Sequence, residues 1–242
     1  MTLRLRFHLH YWPILTAVWI SLAFIICYLV AIFDQHVHPL FPYISDTGAL
    51  PPESCIFGQM LNIAACLMFI TMYIRFRTVQ LLEHVGFSKN YKFWNKFSNI
   101  FGFFSCLGIS LVANFQETSE ITVHFIGAFL AFAVGAVYCI IQAYLTWLSF
   151  SSKRLKLIRI LLSLLLIPLY ITTTVCSALS FKEFNENAFK WKHTDKGYTL
   201  HLFATFTEWI MAVLMILYMA TFYVEFRSVK FGGLTFVLED DK

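Results

Sequence analysis

Six long apolar stretches are separated by short polar segments along the chain. A helix needs about 20 predominantly apolar residues to cross the hydrocarbon core of a bilayer. Each stretch is close to or above that length, so the pattern predicts six membrane-spanning helices. Their predicted bounds are residues 13–33, 55–74, 97–115, 122–148, 157–179 and 200–224. The predicted fold class is therefore all-α, a polytopic six-helix transmembrane bundle, with residues 1–242 forming a single domain.

The composition agrees with this pattern and excludes a soluble globule. Hydrophobic residues make up 59% of the chain and charged residues only 13%, whereas a soluble domain carries roughly 25% charged residues. The net charge of +4 is not gathered on one polar face, so nucleic acid is not an expected partner. Membrane lipids and other membrane proteins are the expected partners.

The Lys and Arg residues are unevenly divided between the two sides of the predicted bundle. Of the 18 Lys and Arg residues, fourteen belong to one side: they lie before the first span, in segments 75–96 and 149–159, and after the sixth span. The other four lie in segment 180–199, on the opposite side. Cytoplasmic segments of membrane proteins carry an excess of Lys and Arg. The bias therefore predicts cytoplasmic N- and C-termini, with segments 34–54 and 180–199 as the long exoplasmic loops.

No motif of a known catalytic, nucleotide or metal site is present. The six cysteines are scattered singly, without the close Cys or His spacing of a zinc site. There is no GxSxG turn, Walker A loop or GxGxxG turn. The sequence therefore predicts no cofactor, no metal and no catalytic residue, and it favours a non-enzymatic protein.

Polar residues within or beside the spans are the main candidates for function, because such groups are costly in lipid. Glu208 is the only carboxylate deep within a predicted span, and His201 lies two helical turns earlier on the same face. We expect His201 or Asn114 to pair with Glu208. The predicted polar cluster under the exoplasmic face comprises Asn114, Gln116, Glu117, His124, His201 and Glu208.

Three roles remain open for this cluster. The first is a structural hydrogen-bond network, since buried polar groups need partners. The second is the binding of a lipid head group or a proton. The third is an acid–base or metal-assisted hydrolytic site.

The first exoplasmic loop carries the most distinctive polar stretch. Its prolines favour a folded loop built of turns. Asp46-Thr47-Gly48 matches the triplet of aspartic proteases, but those enzymes need two carboxylates that share a proton. Asp46 is therefore predicted to cap a turn. The loop motif consists of Pro42, Tyr43, Ile44, Ser45, Asp46, Thr47 and Gly48.

Small residues at four-residue spacing predict close helix packing in two spans. The fourth span has Gly127, Ala131 and Gly135, and the third has Gly102, Cys106 and Ser110. Such residues let helix backbones approach closely in lipid.

Several strings together resemble the DNA-damage-regulated autophagy modulator (DRAM) family. They are PYISDTG followed by PPES and IFG, then LNIAA, ANFQ, HFIGA and DKGYTLH leading into EW, in order from span one to span six. CLGISLVANFQ and DKGYTLH look closer to the second vertebrate member than to the founding one. The chain after Glu225 is shorter than in that second member.

The resemblance implies a six-span protein of lysosomal and late endosomal membranes that promotes autophagy. More distant relatives of the family influence GPI-lipid remodelling and plasma-membrane lipid asymmetry. The resemblance carries no catalytic assignment. The expected function is thus a non-enzymatic modulator of autophagy that binds lipid or a membrane partner. The alternative is a lipid-modifying or lipid-translocating protein that uses the polar cluster.

Overall fold

The computed structural model describes residues 8–83, 89–149, 151–183 and 189–229. Six helical segments are long and apolar enough to cross a membrane, which confirms the predicted fold class, and the described residues contain no strand. The elements are α1 (Tyr11–Phe33), α2 (Glu53–Glu83), α3 (Lys89–Asn114), α4 (Ile121–Ala128), α5 (Gly135–Leu148), α6 (Lys153–Glu183), α7 (Tyr198–Ala220) and α8 (Tyr223–Phe226). A π-helical segment (Phe129–Val134) joins α4 to α5 within the fourth span.

The helices run beyond several of the apolar stretches that predicted them. As a result, Arg75, which follows the predicted second span, lies inside α2; Arg159, counted with segment 149–159 although the fifth span was predicted from residue 157, lies inside α6. Both side chains are fully buried, so their assignment to polar loops was wrong. The reason is that a helix can continue past the hydrocarbon length when its polar residues face the bundle. Without these two, the Lys and Arg bias is still twelve against four.

The spans form a closed ring in chain order. Each packs against its neighbour in sequence, and α7 also packs against α1, which closes the ring. Successive spans run antiparallel, which gives an up-and-down arrangement. We call the end that carries residues 34–52 and 115–120 the loop end, and the opposite end the basic end.

The third and fourth spans approach closely at two glycines. A methyl group on Gly127 would lie 2.9 Å from Leu111 Cβ, and one on Gly108 would lie 2.6 Å from the Gly127 carbonyl oxygen. This confirms the predicted packing at Gly127. Gly108 is the matching residue on α3, and the spacing of small residues did not single it out.

Candidate functional site

The loop motif folds into the loop end of the bundle and is held by two adjacent residues of α7. The Ile44 N–H donates to Glu208 Oε2 at 2.9 Å, and the Trp209 Nε1–H donates to the Pro42 carbonyl at 2.8 Å. Ile44 is buried. Non-helical backbone at membrane depth is tolerated where protein surrounds it. Here the contacts with α7 provide hydrogen-bond partners for the backbone of the loop motif.

The motif also stabilises its own turn. Asp46 Oδ2 accepts a hydrogen bond from the Tyr43 N–H at 3.2 Å, and Thr47 Oγ1 donates to the Ile44 carbonyl at 2.7 Å. A short 3₁₀ turn then runs over Asp46–Gly48. The prediction that Asp46 caps a turn is confirmed.

Three carboxyl groups meet beside this loop. Asp46 is within hydrogen-bonding reach of Glu117, and Glu208 is close enough to interact electrostatically with both. A hydrogen bond between two carboxyl groups requires that one of them is protonated. Burial, and then the neighbouring charge of Glu117, raise the pKa of Asp46 well above its usual range.

This raised pKa predicts that the loop is held more firmly in acid. A group whose pKa is raised by folding binds protons more tightly in the folded state, so its stabilisation is complete below the unfolded pKa and is lost as the pH rises through the folded pKa. We expect the melting temperature of the purified protein to rise when the pH falls from about 7.5 to about 5. Thermal unfolding at the two pH values measures this.

Asp46→Asn is the control, since it imitates the protonated side chain at every pH. The variant should match or exceed the wild type at neutral pH and lose most of the pH dependence. His38 and His201 face the small space beside Asp46, and Glu117 and Glu208 belong to the same carboxyl cluster, so a smaller pH dependence can persist in the variant. An unchanged pH dependence in Asp46→Asn would contradict the prediction.

A cavity of about 820 Å³ lies inside the ring of helices, directly below the loop motif. Ligand sites commonly measure about 300–1,000 Å³ and combine apolar walls with a few polar groups. The deeper lining is apolar and includes Phe57, Leu61, Met68, Phe132, Met211 and Met215. The polar lining is gathered towards the loop end and includes Ser45, Glu117, His124, Thr173, Ser177 and Glu208.

The cavity opens sideways between the fourth and fifth spans, where its lining residues Phe125 and Phe129 are exposed. The fourth and fifth spans pack together along α5 and, more sparsely, at the π-helical segment, where the rings of Phe129 and Tyr170 meet at 6.4 Å. Between α4 and α6 the contact is slight. The helices therefore diverge towards the loop end, and the cavity widens between them.

The structure brings only part of the predicted cluster to this cavity. Glu117, His124 and Glu208 line it. The buried His124 ring bonds to the Phe115 carbonyl through Nδ1 at 2.8 Å. Because a carbonyl only accepts, Nδ1 carries the proton, and this bond ties the start of α4 to the end of α3.

His201 lies on the other side of the loop motif. Its ring stacks on Trp191 at 4.3 Å and meets the Tyr43 ring edge-on at 5.2 Å. It lines a small space with Asp46. The expectation that His201 pairs with Glu208 is therefore wrong: Glu208 bonds to the loop backbone instead.

Asn114 does not join the cluster, and its predicted pairing with Glu208 is also wrong. Its side chain forms a reciprocal amide pair with Asn62, with both N···O distances 3.0 Å, and Ser110 Oγ joins the pair at 2.8 Å. The pair links α2 to α3. Gln116 lies outside the cavity lining, and its carbonyl closes the turn before α4.

A second buried polar network lies at the basic end and was missed from the sequence. Glu225 forms an ion pair with Arg75 at 2.9 Å and accepts a hydrogen bond from Arg159 Nη2 at 2.7 Å. Arg75 Nε also donates to Gln142 at 2.9 Å, and Arg159 Nη1 donates to Thr146 at 2.6 Å. Glu208 is thus not the only carboxylate enclosed by the spans. The sequence did carry a signal for this network, since Arg75 directly follows the predicted second span and Arg159 lies at the start of the predicted fifth.

Comparison with known proteins places these features in a family. Residues 8–229 match the family described as Frag1/DRAM/Sfk1/Cwh43P N-terminal domain. The chain is 37% identical over 229 residues to DNA damage-regulated autophagy modulator protein 2 of Bos taurus, which covers 92% of this chain and 85% of that one. It is 38% identical over 220 residues to DNA damage-regulated autophagy modulator protein 1 of Homo sapiens, with 90% of each covered.

A more distant relative is the modulator of macroautophagy TMEM150B of Danio rerio, which is 30% identical over 226 residues and covers 92% of this chain and 88% of that one. No solved structure matches the chain. The resemblance to the DRAM family that PYISDTG, ANFQ and the other strings indicated is confirmed. This multi-pass membrane protein belongs to the Frag1/DRAM/Sfk1/Cwh43P family.

Proposed function

We propose that this chain is a non-enzymatic protein of lysosomal and late endosomal membranes that promotes autophagy by binding a membrane lipid in its central cavity. The observation that carries the proposal is the cavity itself, which is apolar in depth and polar at the loop end. The names of relatives that cover nine-tenths of the chain support the link to autophagy.

The proposed orientation places the loop end in the lumen and both termini in the cytoplasm. The Lys and Arg bias supports this arrangement. The carboxyl cluster would then lie on the acidic side of a lysosomal membrane, where the raised pKa of Asp46 favours the protonated, loop-bound state.

Physical chemistry indicates where the selectivity for a lipid would arise. Lipid chains are as apolar as the cavity wall, so moving an acyl chain from the bilayer into the cavity gains no hydrophobic energy. Selectivity then depends on packing and on the head group. Glu117, Glu208 and the hydroxyl group of Ser177 surround the head-group position, which favours a lipid with hydrogen-bond donors and disfavours an anionic phosphate.

The alternative, a lipid-modifying or lipid-translocating protein, also uses this cavity. A lipid enzyme would change the composition of vesicles that contain the protein, and a translocator would change the distribution of lipid between leaflets. A lipid-binding modulator would change neither. Mass spectrometry and leaflet-specific labelling of reconstituted vesicles separate the three.

Filling the cavity tests the proposal. Met211 lines the cavity and is 1% exposed, so Met211→Trp should occupy part of the space intended for lipid. We expect the amount of lipid that co-purifies with the protein, measured by native mass spectrometry, to fall several-fold and autophagic flux to fall with it. Overpacking of this kind costs about 1–3 kcal/mol, so abundance and lysosomal delivery are measured alongside.

Val213→Trp is the matched control. Val213 lies two residues further along α7 and is 48% exposed on the outer surface. This variant should keep its lipid and its activity. Retention of lipid and normal flux in Met211→Trp would contradict the proposed function, as would an equal loss in both variants.

A further inference from the structure

A separate polar group lies at the loop end, where α1 stops and α2 begins. Asp34, His36 and Glu53 each offer one ligand atom, and these atoms all lie within 4.8 Å of one another. None of the three lines the central cavity. The sequence predicted no metal here because His36 and Glu53 are 17 residues apart, His36 in the segment after α1 and Glu53 in the first turn of α2.

The end of α1 places two of these residues. The His36 N–H donates to the Ala31 carbonyl at 2.9 Å and the Gln35 N–H donates to the Ile32 carbonyl at 3.0 Å. Gln35 has φ of 56°. These are the two bonds and the left-handed residue of a Schellman motif, which turns the chain sharply and holds Asp34 and His36 over the helix end.

Glu53 supplies the buried side of the group. Its side chain is fully buried in the first turn of α2, and its Oε1 lies 2.6 Å from His36 Nδ1. Its second oxygen, Oε2, has no hydrogen-bond partner among the described residues. A buried carboxylate oxygen without a partner is costly, and one imidazole proton cannot satisfy both oxygens.

The local charge favours a cation. Two carboxyl groups, from Asp34 and Glu53, face a single imidazole. The C-terminal end of a helix carries partial negative charge, which attracts cations and opposes an acidic side chain such as that of Asp34. In the part of the chain that the structure describes, His36 is the only ion-pair partner of Glu53.

We propose that Asp34, His36 and Glu53 bind one divalent transition-metal ion of the zinc class, which joins the end of the first span to the start of the second. One imidazole nitrogen and two carboxylate oxygens are ligands that zinc accepts, and the fourth position of a tetrahedral site is left to water. The ion would take the place of the proton between His36 and Glu53: an imidazolium would release that proton to solvent, and a neutral imidazole would carry it on Nε2, so the coordinated ring is neutral.

The geometry requires only a small adjustment. Ligand atoms at zinc bond lengths of about 2.0–2.2 Å lie roughly 3.3 Å apart around a tetrahedral ion. The separations within 4.8 Å therefore need to close by about 1.5 Å at most, and the 2.6 Å between His36 Nδ1 and Glu53 Oε1 needs to open by about 0.7 Å. Asp34 is exposed, so its side chain is free to rotate towards the buried pair. The bound ion would brace the segment 34–52, which carries the loop motif.

Zinc binding by the purified full-length protein tests the site. The protein is reconstituted in lipid nanodiscs, treated with a chelator and titrated with zinc alone in a calorimeter. We expect one ion per chain for the wild type. His36→Gln and Asp34→Asn should each weaken binding by at least about 100-fold, since even the loss of an outer partner of a metal ligand costs 10–100-fold.

His38→Gln is the matched control, because His38 lies two residues away, exposed and outside the group; it should bind zinc like the wild type. If His36→Gln does not fold, Asp34→Asn decides the question, since it changes an exposed side chain. The proposal is overturned if the folded wild type binds no zinc, if Asp34→Asn binds as tightly as the wild type, or if His38→Gln loses binding equally.

Discussion

Replacing Glu225 by glutamine is expected to lower the free energy of unfolding by about 3–5 kcal/mol, the largest effect that we expect from a single substitution in this chain. Arg75 and Arg159 are fully buried, and Glu225 forms an ion pair with each. Glutamine keeps the shape of the side chain but removes its charge, so two guanidinium groups remain inside the bundle without a counter-charge.

The same network predicts an asymmetry between its members. Arg159 and Glu225 form a two-bond fork, with N···O distances of 3.1 and 2.7 Å. Arg75→Gln leaves this charge-balanced pair in place, so its cost should be smaller than that of Glu225→Gln. The double variant Arg75→Gln/Glu225→Gln should recover part of the stability lost in Glu225→Gln, because one of the two uncompensated charges is gone.

Denaturant or thermal unfolding in one fixed detergent measures all three variants. Glu120→Gln provides the control, since Glu120 is an exposed carboxylate at the loop end and its loss should be nearly neutral. Equal stability of Glu225→Gln and the wild type, or a larger cost for Arg75→Gln, would show that the network does not stabilise the basic end in this way.

The second large effect is expected at Glu208. Glu208→Leu removes the acceptor of the buried Ile44 N–H, and an unsatisfied buried donor costs about 1–3 kcal/mol. The loop motif should then be held less firmly on α7, by the Trp209 bond to Pro42 and the ring contact between His201 and Tyr43. Hydrogen exchange at residues 42–48, or cleavage of this segment by an added protease, should increase markedly relative to the wild type.

Glu208→Gln separates the charge of this residue from its role as an acceptor. Its amide oxygen still accepts from Ile44, so the loop, the abundance and the delivery of the protein should be preserved. If the carboxyl group also contacts a lipid head group, bound lipid and autophagic flux fall while the loop stays protected. If both variants behaved like the wild type in stability, loop protection and autophagic flux, Glu208 would have no role in the functional site.

The sequence by itself determined the features that depend on local length and composition. Six apolar stretches of bilayer length predicted six spans because the thickness of the hydrocarbon core sets the number of residues needed. The costly position of Glu208 predicted that it must have a partner. The order of PYISDTG, ANFQ and the later strings was enough to indicate the family.

Only the tertiary structure decided which polar groups meet. The partner of Glu208 is a backbone N–H more than 160 residues away, and the depth of His201 and Asn114 in their spans did not reveal which way their side chains face. That direction depends on how each helix is rotated in the ring. The same packing encloses Arg75 and Arg159, brings Asp34 and His36 to Glu53, and leaves the cavity at the centre, because side-chain convergence is a property of the assembled helices and not of any one stretch.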